Sequence, residues 1–263
     1  MSHRSPSILC RVLLAVVGPA LILSAAGVRA QDPLSLPVIG AVVVDTLQVD
    51  ATGIRGIAVS RGAIWILTSE HTGRAMPNES YSSAILSWDP ATGAVATILS
   101  ERDSFGTGLA YDGEALWVGG NPVGGFEAIY RVDPATRAVD RTIPSSGYHP
   151  GGLAWANDYL WQVDSAARQI SRIETEEGKL SRRLQPPGFY PTGVAHDGKS
   201  LYCADAATGL IYRVRARSGR ADGVLDPDVL RFTGDFVTLV WDRAYLWVVR
   251  DTDDFVVRYQ ILP

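Results

Sequence analysis

Ten residues of this 263-residue chain bring charge, imidazole, amide and ring character into a few short stretches: Glu70, His71 and Arg74; Asn121, Phe126 and Glu127; Tyr148 and His149; and Asp235 with Phe236. Carboxylates and imidazoles exchange protons, amides fix orientation, and rings offer flat apolar faces. Together they suit a sugar, a peptide end or another small polar molecule. Asn78, Glu79, Tyr81, Asp226, Asp228, Arg231 and Phe232 lie in the same stretches, and rings recur at Phe105, Phe189 and Tyr190. Asp164, Asp205 and Asp251 have the spacing of turn caps, in which the carboxylate serves its own loop. No phosphate loop, nucleophile elbow, zinc-ligand spacing or catalytic triad stands in the sequence, and nothing calls for a cofactor or a metal.

A repeat positions these residues. Five segments, 56–65, 108–117, 152–161, 193–202 and 238–247, share one pattern: a small residue, an apolar strand, a tight turn, then Leu or Ile before Trp or Tyr. The aromatics Trp65, Trp117, Trp161, Tyr202 and Trp247 mark periods that suit four short strands per unit, and their regularity assigns them to the core between units. A third strand begins at Ile85, Ile129, Ile170, Ile211 and Val256, and a fourth ten residues later at Val95, Val139, Leu180 and Ala221. The fifth unit runs out of chain before its fourth strand. Val43 lies thirteen residues before Gly56, the offset that separates Val95 from Gly108 and Val139 from Gly152, so 42–47 is expected to supply the missing strand and close the ring. The expected fold is an all-β, five-bladed propeller spanning 31–263.

The intervals inside the first and second hairpins are constant, whereas second-to-third strand intervals and crossovers vary. The long ones fall in units one, two and five, which become neighbours on ring closure. Variable loops over a constant scaffold mark the expected working face, which carries the ten residues named above. His196 sits inside a strand and reads as structural.

Residues 1–30 read as a signal peptide: a basic start with Arg4 and Arg11, an apolar run from Val12 to Ala26, and small residues before Gln31. The product is expected to be exported, periplasmic or extracellular, monomeric and without a membrane span. Loss of Cys10 leaves Cys203 alone, with the character of a small core hydrophobe. A formal charge of −4 gives no footprint for nucleic acid.

Pro191 to Tyr202, with Ala204-Asp205 and Ile211-Tyr212-Arg213, resembles the repeats of NHL-type and streptogramin-lyase-type propellers. Phe105-Gly106-Thr107-Gly108-Leu109 with Leu116-Trp117 resembles the Phe-Thr-Gln-Gly-Leu and Leu-Tyr segments of the plant-type glutamine cyclotransferases, a five-bladed family. That family places an acidic residue after its Leu-Tyr; the matching position here is Val118, and the family's glutamine is Thr107. The resemblance implies cyclisation of N-terminal glutamine, with Glu70 or Glu127 as a carboxylate supplied from another backbone position. The residues alone imply an exported propeller that binds a small polar molecule, a peptide or a partner protein, and leave catalysis open.

Overall fold

Each recurring segment folds as an antiparallel hairpin because a tight turn interrupts two apolar runs of strand length. The computed structural model describes residues 35–60, 62–71, 81–102, 104–122, 128–147, 150–232, 237–250 and 252–263. In chain order, β1 (Val38–Ile39) and β2 (Ala41–Gln48) precede the first complete blade, β3 (Ile54–Val59), β4 (Ile64–His71), β5 (Tyr81–Trp88) and β6 (Val95–Arg102). Blade two is β7 (Ser104–Tyr111), β8 (Leu116–Pro122), β9 (Ala128–Val132) and β10 (Val139–Pro144); blade three is β11 (Pro150–Ala156), β12 (Tyr159–Asp164), β13 (Gln169–Glu174) and β14 (Leu180–Leu184). Blade four is β15 (Pro191–His196), β16 (Ser200–Asp205), β17 (Leu210–Arg215) and β18 (Ala221–Leu225). A short helix α1 (Pro227–Leu230) leads to β19 (Val237–Asp242), β20 (Tyr245–Arg250) and β21 (Phe255–Ile261) of blade five.

Blade five is completed by β2, which pairs antiparallel with β21 from Ala41↔Ile261 to Gln48↔Phe255. The N-terminal strand therefore closes the ring as its spacing implies. A second element is new: β1 adds a parallel fifth strand to blade four, Val38 opposite Val224. The chain thus clasps the outer edges of two adjacent blades before β3 begins.

Five apolar clusters fill the seams between neighbouring blades, and the strand-b aromatic of each blade packs into the seam shared with the next. Trp65 joins Leu109 and Leu116, Trp117 joins Leu153 and Leu160, Trp161 joins Val194 and Leu201, Tyr202 joins Leu239 and Leu246, and Trp247 joins Ile57 and Ile66. Innermost strands approach so closely that a Cβ on Gly108 would lie 2.7 Å from the Gly151 carbonyl oxygen, which explains the repeated glycine.

A polar unit repeats around these aromatics. In blade two Asp112 accepts from the Trp117 indole at 2.8 Å, and Arg131 from strand c reaches both Asp112 and the strand-d Asp140. Blade four repeats it with Tyr202, Asp197, Arg213 and Asp222. Blade five repeats it with Trp247, Asp242 and Arg258, and there the strand-d carboxylate is Asp45 of the closing strand β2. Burial raises the Asp112 carboxyl, but turn N–H groups, the indole and Arg131 outweigh it and hold the group below the usual range.

Candidate functional site

The long interval in blade one is not a free loop. β4 and β5 continue as a paired ladder through Glu70↔Ser82 and His71↔Tyr81, so the insertion extends the hairpin. Successive strand residues point to opposite faces, which separates two residues expected to act together. Glu70 stands beside the crossover from blade five, where its Oε1 accepts from Thr52 Oγ1 at 2.5 Å. It borders a groove of about 310 Å³ lined by Asp50, Thr52, Glu70, Ser82 and Ser100 among others, with no basic side chain among the described residues that line it.

His71 faces blade two and starts a row of rings. His71 meets Tyr81 edge-on at 5.2 Å, Tyr81 meets Phe105 at 4.9 Å, and the Arg55 guanidinium lies 5.5 Å over Phe105. Beneath the row, Gly106 N donates to the Ser69 and Ser83 hydroxyls, each at 2.8 Å, and Ser69 returns a bond to the Gly106 carbonyl at 3.0 Å. This network fixes the hairpin base to blade two. Arg55 had no signal in the sequence pattern, because it occupies a β-bulge between Ile54 and Gly56 that no strand alternation reveals.

Asn121 lies near the end of β8, opposite Phe105 in the ladder. Arg74, Phe126, Glu127, Tyr148, His149, Asp235 and Phe236 lie outside the described residues, as do Asn78, Glu79 and Asp251. The long crossover of blade five is partly core: Asp226 caps α1 by accepting from Asp228 N, and Leu230 and Phe232 are buried in the seam between blades four and five. Phe232 therefore fills the core instead of serving the face, since α1 turns the chain inward.

Asp164 and Asp205, both fully buried, are turn caps as expected. Asp164 accepts from Ala167 N, while Asp205 accepts from Thr208 N on one oxygen and from Phe189 N and Tyr190 N on the other. Phe189 and Tyr190 are left exposed on the crossover side. His196 stacks on Trp161 at 5.7 Å and accepts from Gly198 N, and burial lowers its pKa despite Asp197 nearby. Cys203 is fully buried, and burial pushes its thiol up, far from thiolate chemistry. Among the described residues no His, Cys, Asp or Glu group of three is placed to hold a metal ion, and no helix is long and apolar enough to cross a membrane.

No family model and no curated protein matches the sequence. Solved structures do. The Myxococcus xanthus glutaminyl cyclase is similar over 86% of this chain and 100% of its own, at 15% identity and a TM-score of 0.65. The likeness is one of fold. A Bacteroides thetaiotaomicron protein of unknown function matches over 78% of this chain and 58% of its own, at 14% identity and a TM-score of 0.54. A chain of the mitotic checkpoint complex matches over 79% and 63%, at 15% and 0.50. The position after each strand-b aromatic, held by Ile66, Val118, Gln162, Cys203 and Val248, is buried between blades, so no exposed carboxylate stands there. Any acid serving this face comes from a hairpin or crossover, as Glu70 and Asp50 do.

Proposed function

We propose that the protein is an exported β-propeller that binds a small polar molecule, a peptide or a partner protein at the extended hairpin of blade one. The observation that supports this is the hairpin's two unlike faces: an acidic, hydroxyl-lined groove at Glu70 and a ring row ending in a guanidinium at His71, Tyr81, Phe105 and Arg55. A flat or partly apolar ligand stacks on the rings while its polar groups bond across the rim. Residues 1–30 supply the export signal in this reading.

The fold shared with a glutaminyl cyclase favours a second reading, cyclisation of N-terminal glutamine. In it the α-amine nitrogen bonds to the side-chain carbonyl carbon, a carboxylate takes the amine proton and passes it to the amide nitrogen, and the carbon–nitrogen bond breaks to release ammonia; Glu70 and Asp50 are described acids of the groove. One experiment separates the two. Purified mature protein is incubated with a glutamine-starting peptide, and ammonia is measured beside binding of peptides and oligosaccharides. Binding without ammonia supports the first reading; ammonia release that Glu70→Gln abolishes replaces it with the second.

A further inference from the structure

The outer rim between blades three and four carries a charge the rest of the chain does not. Ten of the 24 Lys and Arg residues but five of the 28 Asp and Glu lie between 168 and 220 in a chain of net −4, and of these ten only Arg213 and Arg215 are paired among the described residues, both with Asp222 just beyond. The cause is local. In blades two, four and five a strand-d carboxylate, Asp140, Asp222 or Asp45, holds the strand-c arginine, whereas in blade three that position is Ser181 and the turn position is Ala156, so Arg172 bonds the Ser181 hydroxyl and lies 4.1 Å over the Tyr159 ring. Arg182 stands opposite Arg172 in the ladder and donates to the Arg217 carbonyl at 2.6 Å, which brings the edge of blade three against the turn of blade four. Exposed Arg217 and Arg220, on the turn of blade four, extend the row, and none of these four guanidiniums has an ion pair among the described residues. Edge arginines also discourage strand pairing, but that role does not require carboxylates to be missing, and the edges of blades two and four keep theirs.

We infer that this rim binds a linear, carboxylated or sulfated polysaccharide. Guanidinium groups pair two-pronged with such anions, and a row crossing two blades matches charges spaced along a chain. No exposed large apolar side chain stands among the four arginines, so nothing there stacks an unpaired base or enters a lipid layer. The site lies on the rim, apart from the blade-one hairpin, and does not depend on the ligand proposed there.

Heparin is the probe, titrated at low salt against wild type, against Arg182→Ala/Arg217→Ala/Arg220→Ala, and against a charge-matched control, Arg137→Gln/Arg231→Gln/Arg243→Gln. Circular dichroism checks each fold. Expected are salt-sensitive binding by wild type and control, and a loss of about tenfold or more in the rim variant. Absence of wild-type binding, equal weakening in the control, or tighter binding to DNA or phosphatidylglycerol vesicles at the same salt overturns the inference.

Discussion

The Asp–aromatic–Arg unit shows how one side chain sets a seam. Trp161 occupies the same seam position as Trp247, and its two-residue turn after Ala156 matches the one after Asp242, yet its buried indole N–H has no acceptor. An unpaired buried donor costs on the order of 1–3 kcal/mol. Ala156→Asp should therefore raise stability by about 1 kcal/mol, read from urea melts, with a normal fluorescence spectrum. No gain would mean that the carboxylate does not reach the indole. His196 gives a pH signature. Its folded pKa is lowered by burial below the ordinary 6.5, so the fold favours the neutral ring. The associated stability is complete above 6.5 and is lost as pH falls from there toward the folded pKa. His196→Gln should flatten that part of the stability profile, and an unchanged slope would assign it to other groups. The strand-c arginines were legible in principle, each two residues after the start of its strand in blades two to five, but the pattern shows only when the carboxylates that answer it are known.

At the scale of elements, constant intervals translated directly into hairpins while variable ones hid their structure. Thr68-Ser69-Glu70-His71 is polar on both faces, so no alternation distinguishes an extended strand from a loop, and pairing with 81–84 decides it. Phe232 misled for the opposite reason, because a ring in a crossover reads as available until the Asp226 cap and α1 turn it inward. The hairpin's two parts separate by experiment. Replacing Glu70–Ser82 with a short Gly-containing turn removes the groove and ring row but spares Ser69 and Ser83, whose hydroxyls hold Gly106. Its melting temperature should stay within a few degrees of wild type, since loop length costs little. Extending the excision to include Ser83, or Ser83→Val alone, should lower stability by about 1 kcal/mol through loss of the bonds the Ser83 hydroxyl makes to Gly106 N and Ser69, the Ser69 hydroxyl still accepting from Gly106 N. Equal stability in both would remove the network as the hairpin's anchor.

For the whole molecule, closure was legible because a ring demands equal units: a missing fourth strand at one terminus and a thirteen-residue offset at the other leave one arrangement. Asp45 completes that argument chemically, answering Arg258 as Asp140 answers Arg131. The two-residue β1 was not legible, since Val38–Ile39 between Pro37 and Gly40 is too short to carry a pattern. Deleting 31–48 removes both parts of the clasp, exposes the edges of blades four and five, and should lower the melting temperature by about 10 °C or more with aggregation on size exclusion. Deleting 31–39 alone should leave a monomer. The proposed binding face was the part least legible in the sequence, because the residues assigned to it sit on a bulge, an extended hairpin and crossovers instead of the repeat. The most direct test is amide hydrogen exchange on the mature protein, with and without whichever oligosaccharide or peptide a binding screen returns. The account predicts ligand-dependent protection at 50–55, 68–71, 81–84 and 104–107, with the opposite-face turns at 112–115 and 197–200 unchanged. Protection confined to those turns, with none at the blade-one hairpin, would contradict it.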